Sequence, residues 1–231
     1  MIPAVRKYLL LIFLILVIDQ SSKFWVKTSM YAGESIPILG MEKAQIYFTE
    51  NNGMAFGFEL EGEYGKLILS VFRILAVLGI GWYLWDLVKK KAHRGFILCI
   101  SLIFAGAIGN IIDSAFYGLL FEDSDPWMRN VAVFMPEGGG YAGFLHGKVV
   151  DMFYFPLMKG NFPEWFPFWS GESFEFFRPV FNVSDAAITC GIITILLFQR
   201  RFFPRKKKVE DTPATTEETP VQQDPQPPVS E

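Results

Sequence analysis

The sequence predicts a membrane all-α fold: a four-transmembrane-helix bundle with a small β element on its outer face. Three observations carry this. The 231-residue chain is 51% hydrophobic and only 19% charged, with 24 Phe, which is apolar for a soluble protein. Four apolar segments run through it. Each carries polar residues at the same end: Asp19 and Lys23 in the first, Arg73 in the second, Asn110 and Asp113 in the third, and Asn182, Ser184 and Asp185 in the fourth. Threaded up and down through a bilayer, all of them land near one membrane surface. An ionisable group in a transmembrane helix costs on the order of a few kcal/mol, so it is a functional-site hypothesis by default.

The first apolar core, residues 8–18, is too short to cross alone, because a span needs about 20 residues. The first helix is therefore expected to continue through Asp19 and Lys23 over residues 8–26. A basic start and a short apolar core also suit a cleaved signal peptide, but no small-residue cleavage site follows Ile18, so a retained span is expected. The first outer loop, residues 28–66, has strand-like Gln45-Ile46-Tyr47-Phe48-Thr49 and a turn at Asn51-Asn52-Gly53, which predict the β element. The second and third helices are expected over residues 67–88 and 95–112. The second outer segment, 114–179, has a flexible turn at Glu137-Gly138-Gly139-Gly140. It also holds Phe162, Trp165, Phe166, Phe168 and Trp169 between prolines, which suits either an interfacial belt or a small loop core. The fourth helix is expected over residues 180–198. The four-helix membrane domain is then 1–203, and 204–231, rich in Thr, Pro, Glu and Gln, reads as a disordered tail.

Basic residues cluster before the first helix (Arg6, Lys7), between the second and third (Lys89, Lys90, Lys91, Arg94) and after the fourth (Arg200, Arg201, Arg205 to Lys208). The outer loops are rich in Glu and Asp instead. The positive-inside rule then puts both termini in the cytoplasm and the polar cluster at the outer face.

A rise of about 1.5 Å per residue puts Asp113 roughly 27 Å from Gly95, at the outer boundary. Asn110 and Asp113 are three apart and share a helix face, as do Asn182 and Asp185. Lys148-Val149-Val150-Asp151-Met152-Phe153 brings another carboxylate to the same surface. Cys99 and Cys190 read as small buried apolar residues. With His93 and His146 far apart in sequence, no metal site and no cofactor are expected, and no nucleic-acid partner. Carboxylates without these groups suggest aspartyl hydrolysis, in which two close Asp share one proton. Read alone, each Asp is equally a cap or a helix–helix anchor, and Asp19 pairs with Lys23 at i, i+4.

Five blocks then match a family in order. They are Asp19-Gln20-Ser21-Ser22-Lys23; Asn51-Asn52-Gly53-Met54-Ala55-Phe56-Gly57; Gly106-Ala107-Ile108-Gly109-Asn110-Ile111-Ile112-Asp113; Val149-Val150-Asp151-Met152-Phe153; and Phe181-Asn182-Val183-Ser184-Asp185-Ala186-Ala187. On these the chain resembles the lipoprotein signal peptidase (signal peptidase II) family. The resemblance implies a multi-pass aspartyl protease of the bacterial inner membrane. It would cut the signal peptide from prolipoproteins just before a diacylglyceryl-modified Cys, among membrane lipids, and be inhibited by globomycin-type cyclic peptides. It implies Asp151 and Asp185 as the catalytic pair. Asp19, Lys23, Asn51, Gly53, Asn110, Asp113 and Asn182 would line or order the site, and Phe56 and Phe58 would belong to a closing flap.

Two departures matter. The family's Arg after the third-helix Asp is Ser114 here, and the Ala after Asn-x-Gly is Met54. A replacement cation is expected from Arg129, Lys148 or, first, Arg178, which precedes the fourth helix. A small transporter or proton-relay subunit is the competing class, but it needs polar groups continuing to the inner side. The inner halves, Phe96 to Phe104 and Ile192 to Phe198, are apolar. A non-catalytic assembly protein would show no polar convergence.

Overall fold

The computed structural model describes residues 2–52, 63–156, 158–161, 163–165, 171–176 and 179–203. Long apolar stretches become helices because a backbone in lipid must satisfy its own hydrogen bonds. Helix α1 spans Ile2–Ser29, α2 Glu63–Lys89 and α3 Arg94–Ile112. Both α1 and α2 overrun their expected ends. The third helix ends at residue 112 as expected, but the chain continues without a break through a π-helical turn, Asp113–Tyr117, into α4, Gly118–Leu120. There the Ser114 hydroxyl donates back to the Asn110 carbonyl at 3.1 Å, so the widened turn keeps its backbone satisfied. Three stretches, Val5–Ser29, Leu67–Lys89 and Arg94–Leu120, are long and apolar enough to cross a membrane. The next helix, α5, is equally apolar but covers only Val183–Leu197, followed by α6, Gln199–Phe202.

The expected start of the fourth helix at residue 180 is overturned for a local reason. Asn182 is extended, and its side chain accepts from the Asp185 N–H at 2.9 Å, while the Asp185 carboxylate accepts from the Asn182 N–H. This capping box ends the helix on its N-terminal side. The two residues before it, Val180–Phe181, form a strand.

The β element is larger than the first outer loop alone. Strands β1 (Ser35–Ile38), β2 (Met41–Asn51), β3 (Val149–Tyr154) and β6 (Val180–Phe181) form an antiparallel sheet in the order β1-β2-β3-β6. The β1–β2 hairpin turns on Leu39 and Gly40, both at positive φ, as a tight hairpin requires. A separate hairpin pairs β4 (Met158–Asn161) with β5 (Ser173–Phe176).

Helix α3 is the central element, with α1, α2 and α5 packed against it. Glycines set the approach of α5. A Cβ on Gly106 would run into the Ser184 carbonyl, and one on Gly109 into the Ser184 hydroxyl and the Asp19 carboxylate. At one end of the bundle Tyr8, Ile12, Leu84, Leu87, Phe96 and Ile100 form an apolar cluster. At the other, Val26, Met30, Phe48, Tyr117, Phe121 and Met152 close over the sheet. The expected burial of the cysteines holds for Cys99, whereas Cys190 lies on an exposed face of α5.

Candidate active site

Between the two apolar clusters lies one connected polar network, built in two layers. The first is centred on Lys23. Its ammonium reaches Asp19 at 2.9 Å, Asp113 at 2.8 Å and the Asn110 side-chain oxygen at 3.0 Å. Those contacts use all three of its N–H donors. Lys23, Asp19 and Asp113 are completely buried. Two carboxylates on one ammonium leave an excess negative charge, which only further donors make tolerable. Gln20 donates to both, at 3.0 Å to Asp19 and 2.9 Å to Asp113. The Ser184 N–H, in the first turn of α5, donates to Asp19 at 2.8 Å, and the Val150 N–H to Asp113 at 3.3 Å. Asp19 thus lies at a helix N-terminus, where backbone donors and the helix dipole favour an anion.

The second layer holds Asp151 and Asp185. Asn182 is its keystone. Its Nδ2 lies 2.7 Å from Asp151 Oδ1 and 3.2 Å from both the Asn110 side-chain oxygen and the Val150 carbonyl. The Asn110 amide donates to Asp185 at 2.8 Å. Asn51, at the end of β2, donates to the other Asp151 oxygen. Strand β3 delivers Asp151 opposite Thr49, and the capping box delivers Asp185. Burial pushes the Asp151 carboxyl up to about 7, and the Asp185 charge pushes the same way. Hydrogen bonds from Asn182 and Asn51 and the Lys23 charge pull it back. Asp151 therefore exchanges its proton near neutral pH, a property suited to acid–base work.

Eight of the predicted site residues meet in this network: Asp19, Lys23, Asn51, Asn110, Asp113, Asp151, Asn182 and Asp185. Gly53 and Arg178 lie outside the described residues, as do the expected flap residues Phe56 and Phe58 and the tail 204–231. Two other expected cations are engaged elsewhere. Arg129 stacks over Tyr31, and Lys148 pairs with Asp123 at 2.6 Å. Sequence reasoning gives no role to Gln20, although a glutamine in an apolar helix beside Asp19 is a usable signal. It also misses a second buried pair one turn further along α1. Lys27 meets Glu50 at 2.5 Å and Ser124 at 2.9 Å. Burial raises the Glu50 carboxyl, and Lys27 opposes the rise. This pair borders a cavity of about 370 Å³ whose lining includes Glu50, Asn51, Asn52, Ser124 and Lys148. Asn51 thus faces both the cavity and Asp151. Among the described residues no group of His, Cys, Asp and Glu has the arrangement of a metal centre.

The sequence matches the family described as signal peptidase (SPase) II over residues 11–201. A lipoprotein signal peptidase of Porphyromonas gingivalis is 52% identical over 188 residues, covering 81% of this chain and 80% of that one. The lipoprotein signal peptidase of Amoebophilus asiaticus is 36% identical over 222 residues, covering 94% and 88%. Among solved structures, a bacterial membrane enzyme determined by the in meso method at 2.3 Å superposes with a TM-score of 0.54. It is 23% identical and covers 87% of this chain and 93% of its own. A second, at 1.9 Å, gives 0.52 at 22% identity. At these identities the likeness is one of fold.

Proposed function

The chain belongs to the signal peptidase II family of membrane aspartyl proteases that process lipoproteins, and from that premise we propose that Asp151 and Asp185 are its catalytic dyad. The observation that carries the reading is their shared amide cradle. Asn182 bonds Asp151 with its side-chain nitrogen and the Asp185 N–H with its side-chain oxygen, while Asn110 holds the Asp185 carboxylate. Two carboxyls held in one cradle of amides are disposed to retain one proton between them.

In the proposed reaction Asp185 is the ionised partner. It takes a proton from a water molecule as the water oxygen attacks the scissile carbonyl carbon. Asp151 gives its proton to the carbonyl oxygen, which makes a neutral tetrahedral diol. Collapse breaks the C–N bond. The leaving amine takes the proton held by Asp185, and a diol hydroxyl returns a proton to Asp151, restoring the starting state. The amides of Asn51, Asn110 and Asn182 keep both carboxyls aimed throughout. The Lys23 layer lies beneath and keeps this part of the bundle rigid.

The substrate proposed is a prolipoprotein, cut just before its diacylglyceryl-modified Cys. Its acyl chains would stay in the outer leaflet among the membrane lipids, and globomycin-type peptides would compete for the same site. We further propose four spans in the inner membrane, with both termini cytoplasmic and the dyad at the outer face. Helix α5 alone rises about 22 Å, and α6 extends it by another turn to reach the length of a hydrocarbon core. The unit 1–203 is the peptidase, and 204–231 is a tail. The transporter alternative is disfavoured, because the described residues at the far end of the helices close into the apolar cluster around Tyr8, Leu84, Leu87 and Phe96 rather than continuing a polar path. The test is cleavage of a lipidated substrate peptide by purified protein. Asp151→Asn and Asp185→Asn should each abolish turnover while inserting at wild-type levels. Substantial cleavage by either would remove the dyad.

A further inference from the structure

Arg73 is a charge in the middle of helix α2 that neither layer of the network uses. It lies inside a membrane-length apolar span, away from the charged ends of the helix, where a cation is costly unless it has a task. It does not point at random. The less exposed positions of α2 include Ser70, Arg73, Val77, Gly81, Leu84 and Leu87, a spacing of three and four that makes one helix face. That face is turned towards α3. A Cβ on Gly81 would lie 2.9 Å from the Phe104 ring, and Leu84 and Leu87 join the cluster of Phe96, Ile97 and Ile100.

Two anchors fix how deep Arg73 sits. The helices run antiparallel about a short turn, and Gly81 lies opposite Phe104. Eight residues along each helix, Arg73 therefore lies opposite Ile112. The second anchor agrees. The Ser70 hydroxyl donates to the Leu145 carbonyl at 2.9 Å, and the Leu145 N–H donates to the Ala115 carbonyl at 3.3 Å. Ser70 is thus level with Ala115, and Arg73, one turn away, is level with Asn110 to Ser114. The Asp185 carboxylate, which the Asn110 amide holds at this depth, attracts the Arg73 guanidinium. Lys23 cannot serve Asp185, because its three donors are held by Asp19, Asp113 and Asn110.

We propose that Arg73 is a positioning residue for the reaction, the cation on α2 that serves the Asp185 carboxylate of the dyad at the depth of Asn110 to Ser114. This rests on the dyad reading above. The position where a cation was expected from the resemblance, Ser114, carries a buried hydroxyl bonded to its own helix at the Asn110 carbonyl. The charge that α3 lacks is supplied at the same depth by α2. The charged groups around the pair are then Asp19 and Lys23 on α1, Asp113 in the π-helical turn after α3, Asp151 on β3 and Arg73 on α2.

The experiment is the pH dependence of lipidated-peptide cleavage by purified protein, for wild type, Arg73→Met, Arg73→Lys and the exchange Arg73→Met with Ser114→Arg. Methionine is unbranched and favoured in a membrane helix, so it removes the charge without impeding insertion; detergent melts of each variant check the fold. Arg73→Met should lower kcat by roughly 100-fold, the scale of losing one preorganised electrostatic partner, with KM changed less than about threefold. Its acidic limb should move to higher pH, because a nearby cation favours the charged form of a carboxylate. Arg73→Lys should keep the limb near its wild-type position, and the exchange should recover at least about tenfold in kcat over Arg73→Met. An Arg73→Met enzyme with wild-type kcat, or one with reduced kcat but an unmoved acidic limb, overturns the proposal. If Asp185→Asn turns over substrate, the dyad reading itself has failed, whatever Arg73 does.

Discussion

Asp151→Asn should make the protein's stability less sensitive to pH while destroying its activity. The reasoning starts from the Asp151 carboxyl, held at about 7 by burial and by Asp185 against an ordinary 3.8. A raised carboxyl gives its full contribution below the unfolded value and loses it as pH rises through the folded one. Between about pH 4 and 7 the unfolded chain ionises this group while the folded chain must keep it protonated. Folding is progressively penalised across that window and level above it. At about 1.4 kcal/mol per pH unit the penalty reaches about 4 kcal/mol. Asparagine carries no such penalty. It has its own cost, because Asn51 and Asn182 both donate to this side chain and an amide NH₂ must face one of them. That loss, about 1–3 kcal/mol, is the same at every pH. The assay is thermal unfolding in detergent at pH 4, 5.5, 7 and 8. The wild-type Tm should fall relative to Asp151→Asn by about 8–16 °C between pH 4 and 7, at about 2–4 °C per kcal/mol. Parallel Tm profiles for the two proteins would show that Asp151 does not titrate in this range and would refute the argument.

Three more expectations follow from the packing and the network. Lys23→Met leaves Asp19 and Asp113 buried without their cation and should destabilise by about 3–5 kcal/mol, seen as poor accumulation and a lowered Tm; restoring stability should require loss of one of the two aspartates. Gly109→Ala forces a methyl group against the Ser184 hydroxyl and the Asp19 carboxylate. It should cost about 1–3 kcal/mol or more and lower kcat in the cleavage assay, whereas alanine at Gly79, which meets nothing nearby, should be neutral or slightly stabilising. Cleavage should survive strong chelators. Loss of activity in EDTA that a divalent ion restores would make these carboxylates metal ligands.

What can be read in advance is whatever a single segment carries. The i, i+4 pair of Asp19 and Lys23, the shared face of Asn110 and Asp113, and the Asn182–Asp185 spacing are properties of one helix turn. Each reappears as a bond or a cap. The spacing at 182–185 reads as part of a helix face, although it is a capping box that starts the helix there. The difference moves the boundary from 180 to 183 and hides the strand Val180–Phe181. Contacts between segments are not legible. Nothing in Val149-Val150-Asp151 says that its backbone will serve Asp113, and nothing around Lys27 says that Glu50 will meet it. The depth of Arg73 against Asp185 likewise depends on how far α2 and α3 slide past one another, which only packing decides.

The Lys23 layer also has a consequence for biogenesis. Asp19 and Lys23 are made early and can pair with each other, but the third member, Asp113, follows about 90 residues later, and the Ser184 N–H that completes Asp19 is 165 residues downstream. At about 5–20 residues per second, a ribosome reaches Ser184 about 10–30 s after Asp19. Over that interval α1 must wait in or beside the insertion machinery with a half-satisfied carboxylate and ammonium that bare lipid would resist. The polar network that steadies the finished enzyme is, during synthesis, a reason for its first helix to stay where water or protein partners can still solvate it until its neighbours arrive.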